Sequence, residues 1–348
     1  MKILLVSVRS KISRGGIAVW TERFLSKCEK HNIYCDLVNT ELVGKRAERK
    51  ATRRSLSDEF VRTKRIFKDL KTALNSTDYD AAHLNTSCGS FGLFRDYIVA
   101  KRIKRKKVRL IVHFHCDIPY WITNSISRKY LGKLLALADE RLVLCENSRE
   151  YLEKNYGVSS VKVPNFVDES NILEKPKSIS DDIREVVFVG RVCSSKGSEE
   201  IYELAYKFSG VIFRLVGDVS DSESTRKKPE NVVLEGGVDH TKVLEYMDNA
   251  DIFLFPSHSE GFSLALAEAM ARALPSIATD VGANSDMLEG GCGIVVKKGD
   301  IDAMARAIDE LRSPKVRCQM SESSLRKARE KYATDSIISG FRNYYKNI

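Results

Sequence analysis

The sequence predicts an α/β fold of two Rossmann-like, doubly wound parallel-sheet domains facing across a cleft, and three observations carry that prediction. Short β-branched apolar runs alternate along the chain with amphipathic helical stretches, the pattern of parallel α/β sheets. The runs are apolar on both faces, as strands sandwiched between helices must be. The length, 348 residues, is more than one compact core needs and suits two.

In the first half, strands are expected at residues 2–8, 34–38, 81–84, 110–114 and 142–145. In the second half they are expected at 186–189, 212–216, 232–234, 252–255, 276–278 and 294–296. Residues 168–184, with Pro176, three serines and little periodicity, read as a linker. The expected domains are therefore 1–167 and 185–332, with a helix over about 333–348 packing back on the first.

Composition excludes several classes. A 43% hydrophobic and 30% charged chain is neither disordered nor fibrous. No apolar run approaches the ~20 residues that span a bilayer, and the stretch Ile3 to Val6 is too short for a signal-peptide core. The eight cysteines are scattered without a CxxC pair or a Cys/His cluster, which argues for core thiols in a reducing compartment. The expected location is the cytoplasm. Charge is uneven: residues 1–170 hold 33 Lys and Arg against 19 Asp and Glu, whereas residues 171–348 hold 24 against 28. The excess lies in 45–71 and in the run Lys101–Arg109. Such runs are either solvated helix faces or a surface that meets an anion, here an anionic membrane face or a diphosphate-linked acceptor.

Ligands of open parallel sheets bind beyond the carboxyl ends of the strands, so the loops there come first. After the first strand, Arg14-Gly15-Gly16-Ile17-Ala18 leads into a helix expected from about Val19; paired glycines admit close backbone approach, and a helix start offers N–H groups to an anion. In the second half a strand runs into Gly190-Arg191, and Lys196-Gly197 follows at a helix start. Arg supplies a planar fork and Lys a point charge, which together can meet one diphosphate. The segment Ala250–Ala271 runs from a buried strand through Pro256-Ser257 into a helix that Ser263 should cap. Glu260 precedes that helix. Glu268 falls inside its apolar run Leu264–Met270, where an unpaired carboxylate would be costly.

Glu260 and Glu268, with seven residues between them, resemble the EX7E signature of retaining glycosyltransferases of the GT-B fold, the group 1 (GT4-type) family. The resemblance extends through Val189-Gly190-Arg191, Leu215-Val216-Gly217, Gly236-Gly237-Val238 and Ala278–Asn284, and is strong over residues 186–312. The first half matches in layout, through Gly15-Gly16, His113-Phe114-His115 and Val163–Asp168, the last with Phe166 where glycine is usual. The resemblance implies that Arg191 and Lys196 neutralise the departing diphosphate, that Glu268 holds the ribose and Glu260 the transferred sugar. It further implies that backbone N–H groups at Gly16 and at Phe262, Ser263 and Leu264 contact donor. Gly15, Gly190, Val238 and Gly261 complete the expected donor-binding set, and His115 matches an active-site histidine near the sugar.

The implied reaction moves a hexose-type sugar from a nucleoside diphosphate, a UDP-sugar before a GDP-sugar, to a hydroxyl of a glycan or lipid-linked glycan. No cofactor or metal is expected. Asp78-Tyr79-Asp80 spells a DxD but precedes a strand, at the wrong end of the sheet, and Asp300-Ile301-Asp302 reads as a helix start. Two other readings share some of these features. A GT-B-like sugar-nucleotide epimerase would have the fold without the transfer, and the paired acidic and basic sets favour a transferase. A nucleic-acid binder would suit the pI of about 9.1, but the Lys101–Arg109 run has no aromatic to stack on bases, so no nucleic acid is expected.

Overall fold

The computed structural model describes residues 1–10, 15–44 and 55–346. Arg14 and much of the basic stretch at 45–71 lie outside them. The chain divides into two compact units, Met1–Asn165 with Thr334–Ile348, and Phe166–Ala333.

The first unit is built on β1 (Lys2–Ser7), β2 (Tyr34–Asn39), β3 (Ala81–Thr86), β4 (Arg109–Phe114), β5 (Glu140–Val143) and β6 (Val161–Lys162). All pair in parallel, in the order β2-β1-β3-β4-β5-β6. Strand order reverses between β1 and β3, so a crevice opens there at the carboxyl edge. β1 and β3 are buried along nearly their whole length, as strands covered on both faces are. The helix after β1 spans Gly16–Lys27 and begins three residues before the expected Val19. Gly15 caps it through its carbonyl, which accepts from the N–H groups of Ala18 and Val19.

β3 and the second unit's strand Val232–Gly236 run two residues further than the sequence expectation, and β5 and β6 depart from it in other ways. β5 lies two residues early, because Cys145 already caps the helix Glu146–Tyr156. β6, two exposed residues at the sheet edge, carries no apolar signal. The helix Thr334–Tyr345 closes this unit, burying Phe341 and Tyr345. His31 Nε2 lies 3.0 Å from Asp335 at its start, and Lys30 pairs with the same carboxylate.

The core of this unit holds two fully buried histidines, His83 and His113, with half-buried His115 beside them. His83 Nδ1 lies 2.7 Å from the Tyr345 hydroxyl, and its Nε2 lies 3.3 Å from His113 Nδ1. The rings of His113 and His115 stand 4.0 Å apart, on one face of the sheet as their alternation requires. Trp20 packs against all three. Burial disfavours the charged imidazolium, holding His83 and His115 down at about 3 and His113 well below its ordinary value.

The second unit has β7 (Glu185–Val189), β8 (Ile212–Val216), β9 (Val232–Gly236), β10 (Ile252–Phe255), β11 (Ser276–Thr279) and β12 (Ile294–Val296). These too are parallel, in the order β12-β11-β10-β7-β8-β9, with the reversal between β7 and β10. The stretch 168–184, read as a linker, is fastened to this unit. Lys177 Nζ donates to the carbonyls at the end of the helix His240–Asn249, and Ser180 Oγ donates to Asp251 at 2.6 Å. Buried Arg317 donates to the Ser180 carbonyl at 2.8 Å.

The histidine core makes the protein acid-sensitive. Unfolded, each imidazole binds a proton below about pH 6.5, while folded His83 and His115, held at about 3, stay neutral. The unfolded state therefore takes up more protons as pH falls. Stability is lost downward from about pH 6.5, by up to about 1.4 kcal/mol per pH unit for each histidine. Melting midpoints measured from about pH 7.5 to about 5.5 are expected to fall more steeply in the wild type than in His83→Gln.

Candidate active site

The switch point of the second sheet gathers the residues that the sequence singled out. β7 delivers Gly190 and Arg191, whose guanidinium is exposed and has no hydrogen-bond or ion-pair partner among the described residues. A short 3-10 turn, Ser194–Lys196, then presents Lys196. Across the switch point β10 leads through Pro256 to Glu260, and Lys196 Nζ meets Glu260 Oε1 at 2.5 Å. The two roles that the resemblance separates, phosphate for Lys196 and sugar for Glu260, start from one ion pair.

This approach is possible only because glycine stands at two crossings. Gly197 has φ +83°, and a Cβ there would sit 2.3 Å from the Pro256 carbonyl oxygen. Gly282, at φ +56°, would drive a Cβ to 2.4 Å from the Glu260 carbonyl, while the Ala283 N–H donates to the Gly261 carbonyl at 3.0 Å. The Glu260 loop is thus clamped from both sides by backbone.

Ser263 caps the helix Leu264–Ala271, its Oγ accepting from the Leu266 N–H at 3.2 Å. The N–H groups of Leu264 and Ala265 have no helical carbonyl to bind and remain donors for an anion at the positive end of the helix dipole. Phe262 is buried and stacks edge-on against Tyr332. Gly261 opens the turn ahead of them. Glu268, in the helix's fifth position, is buried, and its Oε1 lies 3.0 Å from His240 Nε2. Val238 sits half-buried in the loop between β9 and the helix His240–Asn249, which Asp239 caps.

Sequence reasoning missed His240, and also a second pair, His258 Nε2 with Glu200 Oε1 at 2.6 Å. Glu200 is buried on the helix Ser198–Lys207, and His258 lies in the Glu260 loop, its N–H donating to the Ser195 carbonyl at 3.1 Å. A buried carboxylate needs a partner. Glu200 and Glu268 each find one in a histidine from another segment, and buried Glu223 faces Arg226 at 3.6 Å. His258 was readable as part of the recognised segment; His240 had as its signal only its place after Gly236-Gly237-Val238-Asp239.

The remaining predicted residues lie in the first unit. Gly15 and Gly16 stand at the start of the first helix, beside that sheet's switch point. A Cβ at Gly16 would meet nothing within 4 Å, so packing does not require glycine there. His115 follows β4, half-buried, with its N–H donating to the Thr86 carbonyl at 2.8 Å and Nε2 3.0 Å from Asn85 Oδ1. The DxD serves the sheet: Asp80 accepts from the Lys2 N–H at 2.7 Å, and buried Tyr79 donates to Asp36. Asp300 caps the helix Ile301–Glu310.

Two parallel six-stranded sheets, each with helices on both faces, and this order of loop motifs define the GT-B class of glycosyltransferase. The sucrose-phosphate synthase of Thermosynechococcus elongatus superimposes with a TM-score of 0.80 over 99% of this chain and 98% of that one, at 17% identity. The HepE protein of Anabaena in complex with UDP-glucose superimposes at 0.75 over 99% of both chains, also at 17% identity. Among relatives by sequence, the capsular polysaccharide biosynthesis glycosyltransferase CapM of Staphylococcus aureus is 28% identical over 193 residues, 51% of this chain and 50% of that protein. The chain belongs to the group 1 glycosyltransferases: the model described as "Glycosyl transferases group 1" matches residues 183–313, and that described as "Glycosyltransferase Family 4" matches residues 14–171.

The glycine clamp is open to direct test. Gly197→Ala adds both a left-handed strain and a clash with backbone that cannot yield, and should cost more than about 1 kcal/mol. A melting midpoint lowered by about 3 °C or more is the expected result.

Proposed function

We propose that this chain moves a hexose-type sugar from a nucleoside-diphosphate donor, a UDP-sugar rather than a GDP-sugar, to a hydroxyl of a glycan or lipid-linked glycan, as in cell-surface polysaccharide or lipopolysaccharide synthesis. The observation that carries this reading is the unpartnered Arg191 guanidinium at the same switch point as the Lys196–Glu260 pair and the open start of the helix Leu264–Ala271. Three kinds of donor to an anion and two carboxylates for hydroxyls share one sheet edge. A sugar diphosphate is the ligand class that needs both. HepE supports the UDP-sugar by the ligand it carries, and CapM supports the surface-polysaccharide setting by its role.

The barrier lies in breaking the bond between the anomeric carbon and the diphosphate oxygen. Charge grows on the leaving oxygen, and preorganised cations and helix N–H groups stabilise it there. Arg191 offers a fork and Lys196 a point charge. As the donor enters, Lys196 turns to phosphate and Glu260 exchanges an ammonium for sugar hydroxyls, so the ion pair keeps both side chains oriented beforehand. Glu268, held by His240, accepts from the ribose hydroxyls. His115, neutral at physiological pH because burial lowers its pKa to about 3, serves as a hydrogen-bonding group and not as an acid. The acceptor oxygen bonds to the anomeric carbon on the face the diphosphate leaves, and its proton passes to the departing phosphate, so the configuration is retained. This chemistry calls on no metal or cofactor.

Thermal-shift measurements with UDP, GDP, ADP and their sugar conjugates test the donor. A ligand at 100 times its dissociation constant stabilises by about 2.7 kcal/mol. UDP compounds should raise the midpoint, the effect should vanish in Arg191→Ala and Glu268→Ala, and His240→Ala should weaken it. No shift with any nucleotide would refute the donor assignment. With a productive donor, proton NMR of the first product should show the donor's own anomeric configuration, and an inverted product would refute retention.

A further inference from the structure

Three of the seven cations in the basic run Lys101–Arg109 are spoken for. Arg102 lies over the Phe67 ring at 3.8 Å, Lys104 pairs with Asp139 at 2.6 Å, and Arg109 donates to the Tyr344 carbonyl at 2.9 Å. The run also sits where the helix Ser90–Arg105 ends and β4 begins, the amino edge of the sheet. The opposite, carboxyl edge carries a different surface. Phe91 and Phe94 near the start of that helix, Tyr120 and Trp121 after β4, and Ile126 at the start of the helix Ser125–Leu137 are all solvent-exposed, Trp121 by 48% and Ile126 by 61%.

These side chains form one rim. The Asn124 amide donates to Ser90 Oγ at 3.3 Å, joining the two helix starts, and the Phe94 and Tyr130 rings stand 5.0 Å apart. Tyr120 and Trp121 pack edge to face at 5.7 Å. Arg128, Lys129 and Lys133 lie along the same helix as Ile126, exposed and without an ion-pair partner among the described residues. From residue 118 to 138 there is no Asp or Glu. Exposed apolar patches of this kind mark interaction sites, and aromatic rings with basic side chains are the composition of a membrane–water interface.

We propose that this rim docks on an anionic lipid surface, with Trp121, Ile126 and the phenylalanines entering the headgroup layer and the three cations meeting lipid phosphates. A glycan platform would set carboxylates or amides around the rings to hold sugar hydroxyls. Here the amides and the carboxylate at the rim are engaged, Asn124 with Ser90 and the Ser127 N–H and Asn147 with Asp117, and the exposed face is left to aliphatic Ile126 and an acid-free basic helix. The proposal rests on the reading of a membrane-borne acceptor, but lipid binding is measured without turnover or nucleotide, so the two can fail separately.

The two tryptophans make the test direct, since Trp20 is buried at 1% exposure and Trp121 is not. Adding vesicles of phosphatidylglycerol and phosphatidylethanolamine should shift the emission of the full chain to the blue, more than phosphatidylcholine vesicles do and less as salt rises. In flotation, Trp121→Ser with Ile126→Ser should lose partitioning, and Lys129→Gln or Lys133→Gln should each lower it about fivefold. Lys106→Gln with Lys107→Gln, on the amino edge, should leave it unchanged. Melting midpoints establish that each variant is folded, and the wild-type emission shift stands without any variant. An unchanged emission at saturating anionic vesicles would overturn the proposal. So would flotation that survives Trp121→Ser with Ile126→Ser, or a blue shift produced equally by a soluble oligosaccharide without lipid.

Discussion

A carboxylate inside an apolar helix has to be partnered, and much of the second unit's carboxyl edge follows from that constraint. The helix Leu264–Ala271 is otherwise leucine, alanine and methionine, and it packs into the core under β10 and β11. Glu268 is the only group on it that water would hold strongly. His240 supplies the compensating donor from the helix start after the edge strand β9, and Glu200 repeats the arrangement with His258. Each pair ties one segment to a helix that belongs to another strand. The Glu260 loop is therefore fixed at three points: by His258, by the ion pair to Lys196, and by the backbone crossings at Gly197 and Gly282. A site held this way meets its ligand with little left to order.

Most of this architecture was legible in the sequence, for a physical reason. Buried parallel strands need apolar runs, and Ile252–Phe255 falls where such a run does, as do Ile212–Val216, around its one arginine, and the edge strand Ile294–Val296. The Ser263 cap was readable because a hydroxyl before an apolar helical run has few other uses. The failures share a cause as well. β6 is exposed and only two residues long, so nothing in its composition distinguishes it from a loop. The stretch 168–184 has a linker's composition, yet Lys177 fastens it to the carbonyls of Met247, Asp248 and Ala250 and Ser180 to Asp251, contacts that leave no periodic trace. His240 and Glu200 belong to the same class, being pairings across many residues that only the fold brings together. The basic run was visible as charge, but not the partners that occupy three of its cations.

The two units solve the problem of polar groups at a sheet's carboxyl edge differently. In the second, Glu200 and Glu268 are matched with histidines, Glu260 and Glu223 with Lys196 and Arg226, and Arg191 is left toward solvent. In the first, Glu59 and Asp96 are paired with arginines, and the histidines are kept neutral by burial, their rings tilted or edge-on to Trp20. A neutral imidazole can be packed like an aromatic ring and still donate or accept a hydrogen bond. That makes it affordable in a core where a charged side chain would not be.

The first unit is also discontinuous, since Phe341 and Tyr345 from the helix Thr334–Tyr345 fill its core. A ribosome releases residues 166–333 before it releases that helix. The first unit therefore waits for residues made long after its own sheet, its histidine core still uncovered and the Tyr345 hydroxyl absent from His83. A sheet made early is thus completed late, and that exposed sheet is what a nascent-chain chaperone would have to shelter.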